Sequence, residues 1–237
     1  ANADVRAVNL RHEKGQMIFD VLLSDRLDIK IDRLDNVQFP MLGEHNVQNC
    51  LAAISICLEM AISPEIILSG LRQFKGVGRR FDFKGETDGI TIIDDYGHHP
   101  VEIRAALSAG RMRAEQNRLI AVVQPHRYSR LRDLFSDFCA CFNEADHVVV
   151  ADVYAAGEDP IEGFEKEDLA EGLRAWGHRS VHVLSGPEAL AEQIDKLATS
   201  GDLVMCLGAG TVTAWAAALP EQLAELRNTP LVTEAGQ

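Results

Sequence analysis

Five short apolar runs separated by segments of helical periodicity constrain the fold of this chain more than any other feature. The runs are rich in β-branched residues and bounded by turn-forming residues, as buried strands are; they lie at 90–94, 119–123, 147–151, 181–184 and 202–207. Helical spacing of apolar residues separates them, at 103–110, 131–142, 169–176 and 190–197, and returns after Gly210. This alternation predicts an α/β fold with a mainly parallel sheet and helices on both faces. Residues 229–237 show neither pattern and are expected to form a solvated tail.

The first 80 residues have a different pattern, which predicts a separate part of the molecule. Residues 4–10 and 16–23 read as two strands, and alternate apolar positions in 27–31 predict a third strand of an antiparallel meander. Two helices are then predicted, the second beginning at Ser63, which is followed by proline. We therefore predict two domains, residues 1–80 and 81–237.

Charge and composition indicate a small anionic ligand. The chain of 237 residues has a net charge of −13, which makes it a poor nucleic-acid binder. Residues 72–132 nevertheless hold ten arginines and two lysines against seven acidic residues, and arginine pairs well with phosphate and carboxylate groups. No stretch approaches the ~20 apolar residues of a membrane span. We therefore expect no membrane partner. The five cysteines contain no C-x-x-C pair, so we expect reduced thiols and a cytoplasmic location.

Two histidine-rich segments follow neighbouring strand-like runs. Asp94-Asp95-Tyr96-Gly97-His98-His99-Pro100 follows the run at 90–94, and Gln124-Pro125-His126-Arg127-Tyr128-Ser129-Arg130 follows the run at 119–123. Ligands of open α/β sheets bind at the carboxyl ends of the strands. We therefore expect the two segments to form one site.

Two other kinds of site stay open on the residues alone. His98, His99 and His126, with Asp95, could hold a metal ion and make the chain a metallohydrolase, although adjacent histidines usually diverge. Gly208-Ala209-Gly210 follows a strand and opens a helix, so its N–H groups could bind an anion in a dinucleotide-binding module. Thr213 departs from that fingerprint, which makes a tight strand-to-helix turn the better interpretation.

A segment before the first helix carries side-chain amides. Asn46 and Asn49, in Gly43–Asn49, are three positions apart and are expected on similar sides of the opening helical turn. Side-chain amides both donate and accept hydrogen bonds, as the edge of an adenine requires. The alternative is simple capping of the helix by Asn46.

These motifs occur in the order and spacing of the Mur ligases, which the chain resembles from about residue 4 to residue 226. The motifs are Gly43–Asn49, Gly76-Val77-Gly78-Arg79-Arg80-Phe81-Asp82, the two histidine-rich segments and Asp152–Glu158. The resemblance is strongest to the branch that joins L-alanine to UDP-N-acetylmuramate through an acyl phosphate in peptidoglycan synthesis. The murein-tripeptide branch is the alternative within the family.

The resemblance implies three groups of site residues. Those expected to bind the nucleotide are His45, Asn46, Asn49, Arg80 and Asp95. Those expected to bind substrate are Tyr96, His126, Arg127 and Arg130. Those expected to take part in catalysis are Arg80, His98, His99 and His126; no residue is expected to bind a metal here.

The resemblance also implies a three-domain enzyme whose second half is this chain. Residues 1–80 would end its central ATPase domain, and residues 81–237 would form its Rossmann-like C-terminal domain. The cofactors would be ATP and Mg²⁺, with the Mg²⁺ ligands mostly in the other half. No Gly-Lys-Ser or Gly-Lys-Thr occurs in the 237 residues, so we expect the chain alone to be inactive.

Overall fold

The structure, a computed structural model, describes residues 3–27 and 29–228 together with the backbone of 231–232. It divides into two compact units, Ala1–Gly76 and Val77–Gln237. The change from one unit to the next therefore comes at Gly76, rather than between residues 80 and 81. Each unit has its own sheet.

The first unit contains an antiparallel sheet and two helices. Its elements are β1 (Val5–Glu13), β2 (Gln16–Leu23), β3 (Arg33–Phe39), α1 (Glu44–Glu59) and α2 (Pro64–Arg72). The strands are ordered β1-β2-β3. The buried apolar side chains of this unit include Phe19 and Val37 from the sheet and Ile54 from α1.

The third strand of this meander was predicted in the wrong place. Residues 27–31 lie outside every described strand, and the strand that pairs with β2 is β3. Asn36 has a φ of 52°, and its N–H donates to the Asp20 carboxylate at 2.8 Å where the pairing register shifts. This bulge makes Leu34 and Val37, three positions apart, both buried. The alternation that would reveal the strand is therefore lost from the sequence.

The second unit alternates strands and helices as predicted. Its strands are β4 (Asp82–Thr87), β5 (Ile90–Asp95), β6 (Leu119–Val123), β7 (His147–Val150), β8 (Val181–Val183), β9 (Leu203–Leu207) and β10 (Leu231–Val232). Its helices are α3 (Pro100–Ala114), α4 (Tyr128–Asp133), α5 (Phe135–Cys139), α6 (Lys166–Ala175), α7 (Leu190–Leu197) and α8 (Val212–Arg227), with a 3-10 turn at Pro187–Ala189.

The sheet of the second unit is mainly parallel and covered on both faces, which confirms the predicted fold class. Its order is β10-β4-β5-β9-β6-β7-β8, in which β5, β9, β6, β7 and β8 are parallel. Alternate residues of each strand face opposite sides. Ile93 packs with α3 to α6, whereas Ile92 packs with α7 and α8.

Three details of the second unit differ from the sequence prediction. The strand β4 was missed; it pairs antiparallel with β5 and shifts register between Phe83 and Gly85. The single helix predicted at 131–142 is two short helices that meet at Leu134, whose φ is −118°. Of the predicted tail, Leu231–Val232 pairs with β4, and the rest lies outside the described residues.

Among the described residues, no helix is both long enough and apolar enough to cross a bilayer.

Candidate active site

The carboxyl ends of β5 and β6 bring the two histidine-rich segments together. Tyr96 and His98 meet edge to face with ring centroids 5.0 Å apart, and His98 lies 5.7 Å from His126. His126 stacks on Tyr154 at 5.4 Å, and the two residues form a parallel β-bridge beyond β6 and β7. We call these four residues the ring row. Three of them were predicted as site residues, and Tyr154 was not.

The buried Asp95 carboxylate holds the loop that presents Tyr96. One oxygen accepts the N–H of Gly97 at 2.7 Å, and the other accepts the N–H of Phe81 at 2.8 Å. Burial raises the pKa of Asp95, although these N–H groups and the Arg80 charge oppose the rise. Both oxygens are thus bound to the backbone of the second unit. The ribose-binding role implied by the resemblance stays a prediction.

Asp94 lies beside Asp95 but has no exposed surface. Its Oδ2 accepts a hydrogen bond from the Thr213 hydroxyl at 2.5 Å and is 3.8 Å from Nε of Arg79 and 3.7 Å from Nζ of Lys84. The hydroxyl of Thr213 thus binds a buried carboxylate. This contact gives a physical reason for threonine where a dinucleotide fingerprint has glycine or alanine.

Two consecutive arginines flank the ring of Tyr96. The guanidinium carbon of Arg79 is 4.7 Å from the ring centroid and that of Arg80 is 5.5 Å away. Arg79 also donates to the carbonyl of Gly208 at 2.8 Å, so it ties the turn after β9 to this site. Arg80 is exposed. Its predicted contact with the γ-phosphate is untested, and the sequence did not distinguish it from the more constrained Arg79.

Glu102 in α3 organises both histidines of the first segment. Its Oε2 accepts the N–H of His98 at 3.2 Å and that of His99 at 3.3 Å, and lies 3.4 Å from Nδ1 of His98. Burial raises the pKa of Glu102, but these N–H groups and the neighbouring positive charges lower it further, so the carboxylate is ionised at neutral pH. Glu102 was not predicted as a site residue from the sequence. Its signal was a glutamate three residues after the residue that caps α3.

His99 is that capping residue. Its Nδ1 accepts the N–H of Val101 at 3.4 Å, and Pro100 occupies the first helical position, where the lack of an N–H costs nothing. The contacts of His99 are therefore those of a helix terminus. Its predicted catalytic role stays a prediction.

His126 is held by Arg130 from one turn later in the chain. Nη1 of Arg130 donates to the carbonyl oxygen of His126 at 3.0 Å and lies 3.2 Å from Nδ1 of the His126 ring. Burial lowers the pKa of His126, and the charges of Arg130, His98 and Arg127 lower it further. The imidazole therefore stays neutral at pH 7. His126 and Arg130, which were both predicted to bind substrate, are therefore in direct contact.

Arg127 occupies a backbone conformation that side chains rarely adopt. Its φ is 72°, and its N–H donates to the carbonyl of Tyr154 at 2.8 Å. The side chain is 51% exposed, and its Nη1 lies 3.8 Å from Oε1 of Glu158. Strained backbone of this kind concentrates at functional sites. The Arg127 guanidinium thus lies next to Glu158, and its charge acts on the His126 imidazole.

Glu158 lies beside Arg127 and was assigned no role from the sequence. Its two oxygens accept the Ser129 N–H at 2.9 Å and the Ser129 hydroxyl at 2.6 Å. These hydrogen bonds lower the pKa of Glu158. The segment after β7 is thereby attached to the start of α4.

The Gly208–Gly210 turn is a close connection between β9 and α8. The buried side chain of Gln124 accepts the N–H of Val212 at 3.0 Å and donates to the hydroxyl of Thr211 at 3.0 Å. The N–H of Gly208 donates to the carbonyl of Asp95 at 3.1 Å. Protein groups thus accept the N–H groups of Gly208 and Val212. The segment forms the tight strand-to-helix turn that the sequence predicted.

The three nucleotide-binding candidates of the first unit lie in the opening turns of α1. Asn46 is buried, and its amide donates to the carbonyl of Leu42 at 2.8 Å, whereas Asn49 is exposed. Gly43, not Asn46, is the cap of this helix, so the capping alternative was wrong. His45 is half-buried. The contact of these residues with adenine stays a prediction.

The metal-binding alternative requires several ligands close together. In the part of the chain that the structure describes, no three His, Cys, Asp or Glu side chains come together as a group that could hold a metal ion.

A second histidine cluster lies away from the ring row, at β7 and β8. The hydroxyl of Ser180 is 2.7 Å from Nδ1 of His147 and 2.9 Å from Nε2 of His182. Burial lowers the pKa of both imidazoles, and the charges of Arg118 and Arg174 add to the effect. This cluster was not predicted from the sequence.

Lowered histidine pKa values predict how the stability of the second unit depends on pH. His126, His147 and His182 have pKa values below the ordinary 6.5 in the folded chain, so the unfolded chain binds more protons in that window. The free energy of unfolding should therefore fall as the pH drops from about 7 through 6.5 toward the folded-state values. Urea unfolding followed by tryptophan fluorescence measures this, since Trp176 and Trp215 both lie in the second unit.

A pair of variants isolates the histidine contribution. His147→Asn keeps an amide where Nδ1 bonds Ser180, and it should flatten the slope of stability against pH. His12→Gln, in the exposed part of β1, is the matched control and should leave the slope unchanged. Equal slopes in the His147→Asn and unaltered proteins would contradict the prediction.

Comparison with known proteins identifies the family. The profile described as "Mur ligase, glutamate ligase domain" matches residues 79–210. The chain is 55% identical over 225 residues to a UDP-N-acetylmuramate–L-alanine ligase of Granulibacter bethesdensis, covering 95% of the chain and 47% of the relative. It is 56% identical over 221 residues to the ligase of that name from Rhodospirillum rubrum, covering 93% and 46%. The chain thus spans about half the length of these relatives.

A solved structure has the same fold. The UDP-N-acetylmuramate–alanine ligase of Thermotoga maritima aligns with a TM-score of 0.75 at 22% identity, covering 95% of this chain and 46% of that one. The family profile covers more than half of the chain and begins at Arg79, in the arginine pair that flanks Tyr96. The motifs, the fold and the profile agree: the chain belongs to the Mur ligase family.

Proposed function

We propose that the chain is the amino-acid-handling half of an ATP-dependent ligase that joins L-alanine to UDP-N-acetylmuramate. In this reaction ATP phosphorylates the muramyl carboxylate, and the amine of alanine attacks the acyl phosphate to form an amide. The proposal that L-alanine is the amino acid rests on sequence identity of about 55% to ligases of that name. That identity also favours alanine over the murein-tripeptide branch. The reaction belongs to peptidoglycan synthesis and, with its demand for ATP, to the cytoplasm.

The site supports recognition of a small carboxylate. Arg127 offers a half-exposed guanidinium, and Arg130 holds the imidazole of His126 close by. A guanidinium binds a carboxylate through two parallel N–H groups, which fixes orientation as well as charge. We assign the carboxylate of alanine to Arg127 and Arg130, with His126 and Tyr96 as the neighbouring substrate ligands.

The nucleotide contacts are part of the same proposal. We assign the adenine to His45, Asn46 and Asn49, the γ-phosphate to Arg80 and the ribose to Asp95. A ribose hydroxyl would use the remaining lone pairs of Asp95, because each oxygen already accepts a backbone N–H. Mg²⁺ and the phosphate-binding loop would come from the other half of the enzyme, and positioning with charge stabilisation would supply most of the phosphoryl-transfer catalysis.

Phosphate release from ATP tests the proposed function. In the full-length enzyme it should require both UDP-N-acetylmuramate and L-alanine, and a murein tripeptide should not replace alanine. The 237-residue chain alone should release none, because it contains no Gly-Lys-Ser or Gly-Lys-Thr sequence. Alanine-dependent phosphate release by the isolated chain, or tripeptide use by the full-length enzyme, would overturn the respective part of the proposal.

A further inference from the structure

Hydrogen bonding distinguishes the two histidines at the centre of the ring row. Nδ1 of His98 lies 2.9 Å from the carbonyl of Tyr96, and a carbonyl can only accept. Nδ1 of His98 must therefore carry a proton. A neutral His98 then has its lone pair on Nε2, which makes Nε2 a proton acceptor.

His126 has the opposite arrangement. The group 3.2 Å from its Nδ1 is Nη1 of Arg130, and a guanidinium can only donate. Nδ1 of His126 therefore carries the lone pair, and its proton is on Nε2. With its pKa lowered by burial and by the charge of Arg130, His126 is a neutral hydrogen-bond donor at Nε2.

The carboxylate of Glu102 completes the distinction. Its Oε2 lies 3.4 Å from the protonated Nδ1 of His98 and is fixed there by the N–H groups of His98 and His99. A carboxylate behind an imidazole holds its tautomer and stabilises the imidazolium that forms when the far nitrogen takes a proton. His126 has an arginine in the corresponding position, which disfavours an imidazolium there.

We propose that His98 is the general base that deprotonates the attacking amine of alanine, and that Glu102 is the residue that positions it. Alanine arrives as the ammonium, and Nε2 of His98 takes one proton from it, which frees the nitrogen lone pair; His98 later passes that proton to water. The lone pair forms the C–N bond to the acyl-phosphate carbon, the C–O bond to phosphate breaks, and phosphate leaves with that electron pair. The second proton that nitrogen loses as the amide forms goes to the departing phosphate. This assignment rests on the proposed alanine-ligase function.

The charged and titratable groups that face His98 differ from those that face His126. Tyr96 meets the ring from the same loop, Glu102 from α3 and His126 from the end of β6. Arg80 lies against Tyr96 and interacts with Glu102. Arg130 contacts His126, so its positive charge acts directly on that imidazole. Glu102 is the negative group that directly contacts the His98 ring.

A nucleophile that needs no base separates this role from a structural one. In the full-length enzyme, His98→Asn keeps an amide N–H where Nδ1 bonds the Tyr96 carbonyl but removes the acceptor. Ligation of alanine should fall about 10²–10⁴-fold. Hydroxylamine, which is uncharged at neutral pH, should still trap the acyl phosphate as a hydroxamate at the rate of the unaltered enzyme.

The pH profile separates His98 from His126 and tests Glu102. His126→Gln keeps a donor in place of Nε2–H, so it should lower the rate but leave the acidic limb of the kcat profile in position. Glu102→Gln can still accept the N–H of His98 but lacks the charge, so the imidazolium is less stable. Its acidic limb should move to lower pH by on the order of one unit.

The outcomes are distinct. The assignment is supported if His98→Asn forms the hydroxamate but does not ligate alanine. It also requires that the acidic limb of the kcat profile stays in place in His126→Gln and shifts in Glu102→Gln. Loss of hydroxamate in His98→Asn, loss of the limb in His126→Gln, or an unmoved limb in Glu102→Gln overturns it. If His98→Asn does not fold, the other two variants decide. Absence of hydroxamate from the unaltered enzyme would instead refute the proposed function.

Discussion

Replacing Arg127 by lysine in the full-length enzyme is expected to weaken the use of alanine about 10- to 150-fold in kcat/KM. Lysine keeps the charge but loses the paired N–H groups, and a hydrogen bond to a charged group contributes about 1.5–3 kcal/mol. The loss should fall on the KM for alanine, with little change in the KM for ATP. Steady-state kinetics with each substrate varied in turn measures both.

The neighbouring arginines provide the comparison. Arg130→Lys should also impair the use of alanine, and because Arg130 bonds His126 at two atoms it should alter kcat as well. Arg132, in the same helix, pairs with the adjacent Asp133 at the surface, so Arg132→Lys should leave the kinetics unchanged. Unchanged alanine kinetics in both Arg127→Lys and Arg130→Lys would mean that these arginines are structural and that alanine binds elsewhere.

Adding one methyl group at Gly210 is expected to destabilise the second unit by about 1–3 kcal/mol. A Cβ there would lie 2.5 Å from Oε1 of Gln124 and 2.6 Å from Cγ of Tyr154. Gln124 cannot move away without leaving the N–H of Val212 unsatisfied. Urea unfolding of the 237-residue chain, followed by the fluorescence of its two tryptophans, reports this unit alone.

Gly78 is the matched control for this measurement. A Cβ at Gly78 would meet no atom within 4 Å, so Gly78→Ala should change the free energy of unfolding little. If Gly210→Ala unfolds at the same urea concentration as Gly78→Ala, the turn after β9 is more adaptable than its contacts indicate.

The strands of the second unit were predictable because they are buried on both faces. A continuous apolar run such as 119–123 can be recognised as a strand without knowing which of its side chains face which side of the sheet. The strand β3 was not predictable in that way, because the bulge at Asn36 removes its alternation. The strand β4 was missed for a related reason: its sequence, Asp82–Thr87, is mostly polar, and it pairs with β5 on the antiparallel side of the sheet.

The candidate site was predictable where residue type alone indicates chemistry. The histidines and arginines of the two segments were found, and the structure brings Tyr96, His98 and His126 into one row. Glu102, Glu158 and Arg79 were missed, since their significance depends on contacts with residues 4, 29 and 129 positions away. The second and third of these contacts depend on the tertiary fold, which spacing in the sequence does not encode.

The left-handed backbone conformation of Arg127 opposes selection for stability to selection for activity at this position. Glycine adopts that conformation without steric cost, whereas an L-residue there costs on the order of 1–3 kcal/mol. A screen for heat resistance alone should therefore enrich glycine at this position, and the same clones should lose the use of alanine. On the role proposed for Arg127, thermal tolerance and turnover make opposite demands on this position, so an enzyme of higher stability is expected to gain that stability elsewhere.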